Sequence, residues 1–223
     1  MNPFAFRPTR PARLAAALLL AAAGSGALLA ETPPDRTIVF FGDSLTAGYG
    51  LADPETQSFP ARVQQKIDAE HLPWHAVNAG LSGETSAGGL RRVDWVLQQR
   101  VDVFVLELGA NDGLRGTAPE VTRANLQGII DRVRAKHPQV PIVLAGMRMP
   151  TSMGADYAES YRAVFPALAA ANKLVLIPFL LDRVAGNPEL NQGDSVHPTA
   201  AGAAIVAQTV WNAVHPLLLA GAP

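Results

Sequence analysis

The sequence contains no cysteine and little charge, and each shortage excludes a class of function. Without cysteine, disulfide frameworks, thiolate zinc sites, iron–sulfur clusters and cysteine nucleophiles are all ruled out. The 18 Lys and Arg residues against 19 Asp and Glu give a net charge of −1, so no basic field exists to hold nucleic acid or anionic lipid. Any chemistry must therefore use oxygen and nitrogen groups.

Apolar residues, by contrast, are plentiful. They make up 48% of the 223 residues, which is enough for a sizeable core. No linker, repeat or low-complexity segment interrupts the chain between Pro34 and Leu219. We therefore expect residues 31–223 to form a single domain.

The first thirty residues have the pattern of a secretory signal peptide. Three arginines precede an apolar stretch, residues 14–23, which is followed by a segment of small residues. An uncleaved membrane anchor is the alternative, but the stretch from Leu14 to Ala30 is 17 residues long, contains Gly and Ser, and falls short of the roughly 20 needed to span a bilayer. Cleavage after Ala27 and cleavage after Ala30 both fit the pattern.

Export defines the expected state of the protein. Removal of residues 1–30 leaves 15 basic and 19 acidic residues, a net charge of −4. No cysteine follows that could carry a lipid anchor. We expect a soluble periplasmic or secreted protein with no stable membrane anchor, no nucleic-acid partner and a monomeric state.

The rest of the chain alternates between short apolar runs and amphipathic segments. The runs predict strands over 37–41, 75–78, 101–108, 141–145 and 173–178. The amphipathic segments predict helices over 58–69, 85–100, 119–137, 156–171 and 198–219. Nearly continuous apolar strands that alternate with helices are typical of a parallel sheet covered on both faces. The predicted fold is a three-layer α/β/α domain with a flavodoxin-like five-stranded parallel sheet.

Polar and glycine-rich residues follow several of these strands, where ligands bind in open parallel sheets. Three of the segments are 42–50, 78–85 and 109–113, and a fourth, 194–198, follows the fifth strand after a connecting stretch. Ser44 could act as a nucleophile, His197 as its base and Asp194 as the acid that orients the imidazole. The backbone N–H groups of Gly83 and Ser44 and the side-chain amide of Asn111 could form an oxyanion hole.

Each segment taken alone has a simpler structural interpretation. Gly-Asp-Ser after a strand and Asn-Asp-Gly both read as turns, a His before a Pro reads as a helix start, and Gly83 reads as a residue of positive φ. The conjunction of four such segments at the strand ends favours catalysis.

The same four segments resemble the signature blocks of the GDSL, or SGNH, hydrolase superfamily. The blocks here are Gly42-Asp43-Ser44-Leu45, Gly83, Gly109-Ala110-Asn111-Asp112 and Asp194-Ser195-Val196-His197-Pro198. The flanking residues are similar to those of the bacterial periplasmic thioesterase I, lysophospholipase and arylesterase subgroup, over roughly residues 36–218. Ala110 departs from the pattern, since relatives often have glycine there.

This resemblance implies an SGNH hydrolase fold and a hydrolase that needs neither metal nor organic cofactor. Ser44 is implied as nucleophile, His197 as base and Asp194 as orienting acid, with Ser44, Gly83 and Asn111 in the oxyanion hole. The implied substrates are small-molecule or lipid esters: aryl esters, short to medium acyl esters, thioesters and lysophospholipids. Apolar residues in loops 112–118 and 148–157 are candidates to contact the substrate, chiefly Leu114, Met149 and Pro150.

Other functions have weaker support in the sequence. The Gly-x-Ser-x-Gly elbow of α/β-hydrolases, the P-loop and the dinucleotide-binding glycine pattern are all absent. His71 and His75 have the spacing of a metal pair, but Pro73 breaks the helix that would align them. Flavin binding rests on the fold alone. An inactive binding module on the same fold is the remaining alternative, and retention of Ser44, Asp194 and His197 together argues against it.

Three tryptophans and two further histidines are interpreted as structural. Trp74, Trp95 and Trp211 occupy apolar positions, which predicts that they belong to the core. His137 and His215 each precede a proline, which predicts a position at the end of a helix.

Overall fold

A computed structural model describes residues 36–220 of the chain. The predicted signal peptide and its two candidate cleavage sites lie outside these residues. Within the described part, the five predicted strands are present as β1 (Arg36–Gly42), β2 (Trp74–Gly80), β3 (Val103–Glu107), β4 (Ile142–Ala145) and β5 (Val175–Ile177). β3 and β5 are shorter than the apolar runs that predicted them.

Eight helices connect and follow the strands in the described residues. The four short or medium helices before β3 are α1 (Ser44–Ala47), α2 (Pro54–Gln57), α3 (Phe59–Ala69) and α4 (Ser86–Val96). The later helices are α5 (Ala110–Leu114), α6 (Pro119–Lys136), α7 (Ala155–Asn172) and α8 (Ala200–Ala220). A single 3₁₀ turn, Thr151–Met153, lies between β4 and α7.

The strands form one parallel sheet in the order β2-β1-β3-β4-β5. All residues of β3 and β4 are buried, as are the last five of β1, because helices cover both faces. α3 packs against α8, whereas α4 packs against α6 and α6 against α7. The three-layer, flavodoxin-like arrangement predicted from the sequence is confirmed.

The strand order determines where polar loops meet. The chain leaves β1 for one neighbour, β2, and then crosses to β3 on the other side of β1. The loops after β1, β2 and β3 therefore leave adjacent strands at the same edge of the sheet, where parallel α/β proteins bind their ligands.

The prediction that Trp95 belongs to the core is wrong. Trp95 is 70% exposed, whereas Trp74 and Trp211 are buried as predicted. α4 buries Val93 and Val96, and Leu97 directly follows the helix on the same buried side. Because each residue turns about 100° around the helix axis, Trp95 lies on the face opposite Val93.

His215 does not lie at the end of a helix, although the proline after it predicted that. α8 continues through Pro216 to Ala220, and His215 lies inside it. The imidazole stacks on Trp211, 4.6 Å between ring centroids, and its Nε2 lies 2.7 Å from Glu70 Oε2 near the end of α3. This histidine joins two helices on one face of the sheet.

α8 is also long and apolar enough to cross a membrane by length and composition alone. Its side chains Val206, Val210, Val214 and Leu218 are buried, and the helix packs on α3 and β5. The apolar face of α8 is therefore covered by the domain itself.

Candidate active site

Ser44 begins α1 directly after β1 ends at Gly42. The preceding residue, Asp43, caps this short helix, since its Oδ1 accepts a hydrogen bond from the Leu45 N–H at 3.0 Å. Asn78 Nδ2 at the end of β2 donates to the backbone oxygen of Thr46 at 2.9 Å. The serine thus lies on a turn that is fixed from both sides.

The structure brings Ser44, His197 and Asp194 together. Ser44 Oγ lies 2.8 Å from His197 Nε2, and His197 Nδ1 lies 2.6 Å from Asp194 Oδ2. Because an ionised carboxylate can only accept, Nδ1 carries the imidazole hydrogen and donates it to Asp194. Nε2 is then left to accept a hydrogen bond from the Ser44 hydroxyl, the arrangement a general base requires.

Asp194 remains ionised in this loop. Partial burial alone would raise its pKa, but hydrogen bonds from the backbone N–H and ring of His197 and from the Val196 N–H outweigh that effect. Together with the charge of His197 they lower the pKa of Asp194 to about 2. The three-residue spacing that the sequence showed thus places acid and base on one turn of the loop before α8.

The two other predicted oxyanion donors, Gly83 and Asn111, lie beside the serine on the same cavity. Gly83 has a φ of +79°, a conformation that side chains rarely adopt, as its structural interpretation also predicted. Its carbonyl oxygen accepts a hydrogen bond from Arg115 Nη2 at 3.1 Å, which holds the loop after β2 against α5.

Asn111 uses its side-chain amide in two hydrogen bonds. Nδ2 donates to Asp43 Oδ2 at 3.1 Å and to the backbone oxygen of Glu84 at 3.0 Å. An amide nitrogen has two hydrogens, so donation to a substrate oxyanion shares one of them or replaces one of these contacts. The same two contacts fix the nitrogen in place before substrate arrives.

A pair of buried acidic residues, Asp43 and Glu107, lies next to Ser44 in the fold. Glu107, the last residue of β3, accepts at Oε2 from the Asp43 N–H at 3.1 Å and from the Thr46 hydroxyl at 2.6 Å. Burial raises the pKa of Glu107 well above its ordinary value, and the Asp43 charge raises it further. Burial likewise raises the pKa of Asp43 to about 6, against hydrogen bonds from Leu45 and Asn111 and the charge of His197. Burial and their mutual repulsion thus shift both carboxyl groups of the pair towards the neutral form, Glu107 most of all.

A cavity of about 600 Å³ opens from the serine towards the ends of β4 and β5. It is lined by Ser44, His197, Gly83 and Asn111 at one end and by apolar side chains beyond. Leu114, Met149 and Pro150, the predicted substrate contacts, all lie on its wall. The volume falls within the usual range for small-molecule sites.

The two histidines with metal-pair spacing do not share a helix. His71 follows α3, which ends at Ala69, and His75 lies in β2; both are exposed. Within residues 36–220, no group of three or more His, Asp or Glu side chains is placed to hold a metal ion.

Sequence reasoning missed several residues that shape the site. Glu107 lies inside an apolar run, and a charged residue in a strand that is otherwise buried was the available signal. Asp112 was read as part of a turn, but it is buried and accepts hydrogen bonds from the backbone and hydroxyl of Ser86 at the start of α4. Tyr49 and Arg148, which also line the cavity, carried no signal in the sequence.

The chain is similar to known proteins over most of its length. The model of the GDSL-like Lipase/Acylhydrolase family matches residues 40–205. The chain is 36% identical to esterase TesA of Pseudomonas aeruginosa, over 91% of this chain and 99% of TesA. It is 34% identical to thioesterase 1/protease 1/lysophospholipase L1 of Escherichia coli K12, over 82% of this chain and 85% of the relative.

A solved structure has the same fold. The psychrotrophic esterase EstA from Pseudoalteromonas, crystallised with monoethylphosphonate as inhibitor, superimposes with a TM-score of 0.76 at 31% identity, over 83% of this chain and 100% of EstA. The family model covers most of the described residues, and the two relatives align over 99% and 85% of their own lengths. On these grounds, the chain belongs to the GDSL-like lipase/acylhydrolase family.

Proposed function

We propose that the protein is a serine esterase that hydrolyses carboxylic esters through an acyl-serine intermediate. The observation that carries the proposal is the hydrogen-bonded series Asp194–His197–Ser44, which opens on a cavity of about 600 Å³. Acyl transfer requires an ionised acid, an imidazole whose unprotonated nitrogen accepts from the serine hydroxyl, and a cavity for the acyl or alcohol group.

The first half of the reaction forms the acyl-enzyme. Ser44 Oγ attacks the ester carbonyl carbon while His197 Nε2 takes the hydroxyl proton. The negative charge that develops on the carbonyl oxygen is stabilised by the N–H groups of Gly83 and Ser44 and by Asn111 Nδ2. The tetrahedral intermediate then collapses, the bond to the leaving oxygen or sulfur breaks, and His197 gives its proton to the leaving alcohol or thiol.

The second half releases the acid. His197 takes a proton from water, whose oxygen attacks the acyl-serine carbonyl through the same oxyanion site. Collapse of this intermediate returns the proton to Ser44 Oγ and frees the carboxylic acid. Asp194 holds the imidazole throughout, and each proton removed is returned, so the enzyme ends in its starting state.

The substrates we propose are aryl esters and short to medium acyl esters, together with thioesters and lysophospholipids. The apolar wall formed by Leu114, Met149 and Pro150 supports an acyl chain as one occupant of the cavity. The names of the relatives, an esterase and a thioesterase 1/protease 1/lysophospholipase L1, support the same range.

The test is hydrolysis of p-nitrophenyl esters from acetate to palmitate by the mature chain and its Ser44→Ala variant. We expect activity that falls to background in Ser44→Ala and an optimum chain length that separates an arylesterase from a lipid-directed enzyme. Ser82→Ala is the matched control, because this serine also lines the cavity but lies outside the triad. If the natural chain hydrolyses none of the series, the inactive binding module is favoured instead.

We also propose that the enzyme acts in the periplasm or outside the cell, as a monomer. The arginines and apolar stretch of the first thirty residues support export. Mass spectrometry of the exported protein tests this and identifies the cleavage site, because the N-terminus begins at Leu28 or at Glu31. Sedimentation of the mature chain tests the monomeric state.

A further inference from the structure

The positively charged side chain of Arg148 lines the cavity that contains Ser44. Arg148 follows β4 and lines the cavity, between two buried methionines, Met147 at 3% exposed and Met149 at 7%. This alternation turns Arg148 to the side opposite the core. Its guanidinium lies over the ring of Phe179, 4.7 Å from the ring centroid.

The backbone holds Arg148 and Phe179 in register. The Gly146 N–H donates to the Ile177 oxygen at 2.8 Å, and the Leu180 N–H donates to the Gly146 oxygen at 3.0 Å. A Cβ at Gly146 would lie 2.5 Å from the Pro178 oxygen, so only glycine allows the two segments to approach this closely. The arginine and the ring beneath it therefore project from a fixed pair of loops at the ends of β4 and β5.

The charge of Arg148 has no carboxylate partner among residues 36–220. Both carboxylates on the cavity wall are engaged elsewhere: Asp43 accepts from Leu45 and Asn111, and Asp194 accepts from His197. A contact with an aromatic ring uses none of the guanidinium N–H donors in a hydrogen bond, and those donors fit carboxylate or phosphate oxygens.

The position of Arg148 sets the distance between the anion and the reacting carbonyl. Ser44 follows β1 and Arg148 follows β4, with β3 between them. Two strand spacings, about 10 Å, separate β1 and β4, the strands from which these two residues follow. An anionic group held by Arg148 therefore belongs to a part of the substrate well removed from the ester bond.

We propose that Arg148 forms an anion-binding subsite that takes a phosphate or phosphodiester on the leaving alcohol or thiol of the substrate. The anion is assigned to the leaving group because a fatty acyl chain carries no charge. This inference rests on the proposed esterase function and deepens it. The same chemistry has two sources, the phosphodiester of a lysophospholipid and the phosphates of an acyl-coenzyme A thioester.

The test compares three substrates that share a lauroyl chain and differ in the leaving group: 1-lauroylglycerol, 1-lauroyl-lysophosphatidylglycerol and lauroyl-coenzyme A, each below its micelle concentration. The enzymes are the natural mature chain, Arg148→Gln, Arg148→Lys and the control Arg123→Gln, which removes an exposed arginine of α6 that does not line the cavity. We measure kcat and KM for each of these enzymes on each of the three substrates.

We expect Arg148→Gln to lower kcat/KM about tenfold or more on a phosphate-bearing substrate, chiefly through KM, because a charge-assisted hydrogen bond is lost. The neutral glycerol ester should change less than about twofold, since it makes no such bond. Arg148→Lys should lie between, because it keeps the charge but loses the planar fork. Arg123→Gln should match the natural chain.

The outcomes separate the two proposals. Loss on the lysophospholipid alone, on the thioester alone or on both supports the subsite and identifies its source. Equal loss on all three substrates, or no loss on either phosphate-bearing one, overturns the subsite while the esterase function stands. If the natural chain hydrolyses none of the three and none of the p-nitrophenyl esters, the esterase function fails and the subsite fails with it.

Discussion

The ring of Tyr49 lies against the imidazole of His197, with 4.8 Å between ring centroids and an angle of 48° between the ring planes. Gln192 joins the two segments, because its side-chain amide donates to the backbone oxygens of Tyr49 at 2.8 Å and Pro198 at 3.0 Å. Its backbone N–H donates to the His197 oxygen at 2.7 Å. The proposed base is thus packed between the loop after α1 and its own loop.

Removal of the Tyr49 ring should weaken the base. We expect Tyr49→Ala to lower kcat on a p-nitrophenyl ester about 2–10-fold, since an aromatic pair contributes about 0.5–1.5 kcal/mol beyond its buried area. Tyr49→Phe keeps the ring and should retain most of the activity. A Phe variant as impaired as the Ala variant would show that the hydroxyl matters instead.

The fold was predictable because its signal is local. The apolar runs of β1, β3 and β4 are buried on both faces, and such runs read as parallel strands without knowledge of their neighbours. It could likewise be predicted that Ser44, Asn111 and His197 lie close together, because the carboxyl ends of parallel strands share one edge of the sheet.

What sequence reasoning missed depends on tertiary contacts. Trp95 and Val93 are both apolar, and only the packing of α4 decides which one faces the core. The hydrogen-bond partners of Glu107 lie more than sixty residues away along the chain, so no local sequence pattern indicates them. The sequence does not distinguish Arg148 from other surface arginines; only the strand order shows that it lines the cavity.

Asn111 should contribute to catalysis through its amide donor. We expect Asn111→Ala to lower kcat about 10²–10³-fold with little change in KM, the usual effect of removing one oxyanion donor. Because Asn111 also contacts Asp43 and Glu84, thermal melting must accompany the kinetics. A variant that melts like the natural chain and keeps near-normal turnover would remove Asn111 from the oxyanion hole.

Asp194 should act through its charge at every pH where the enzyme works. Its pKa of about 2 lies below the ordinary value of 3.8, so its stabilising contacts are complete above pH 4 and are lost only as pH falls towards 2. We expect Asp194→Asn to lower kcat/KM by about 10²–10⁴-fold, because the imidazole then takes the wrong tautomer.

The pH dependence of that loss is the sharper measurement. The Asp194 carboxylate does not titrate between pH 5 and 9, so the loss of activity in Asp194→Asn should persist across this whole range. Equal activity of Asp194→Asn and the natural chain at any pH in this range would contradict the contacts that hold Asp194 ionised.

Glu107 should make the folded state less stable as pH rises. Its pKa when folded lies well above the ordinary value of 4.5, so the unfolded chain loses this proton at lower pH than the folded protein does. Wherever the folded state binds more protons than the unfolded state, the free energy of unfolding falls as pH increases. Asp43, with its pKa raised from 3.8 to about 6, adds to the same trend between those values.

Glu107→Gln isolates this effect, because a glutamine oxygen can accept the same bonds from the Asp43 N–H and the Thr46 hydroxyl, while its amide carries no titratable proton. We expect the melting temperature of the variant, relative to that of the natural chain, to be higher at pH 8 than at pH 5, where unfolding the natural chain releases less of the Glu107 proton. Glu107→Leu is the contrasting variant: it also removes the titration but leaves both donors unpaired, so it should lose kcat as well as stability. A melting difference between the natural chain and Glu107→Gln that is the same at pH 5 and pH 8 would contradict the raised pKa of Glu107 in the folded protein.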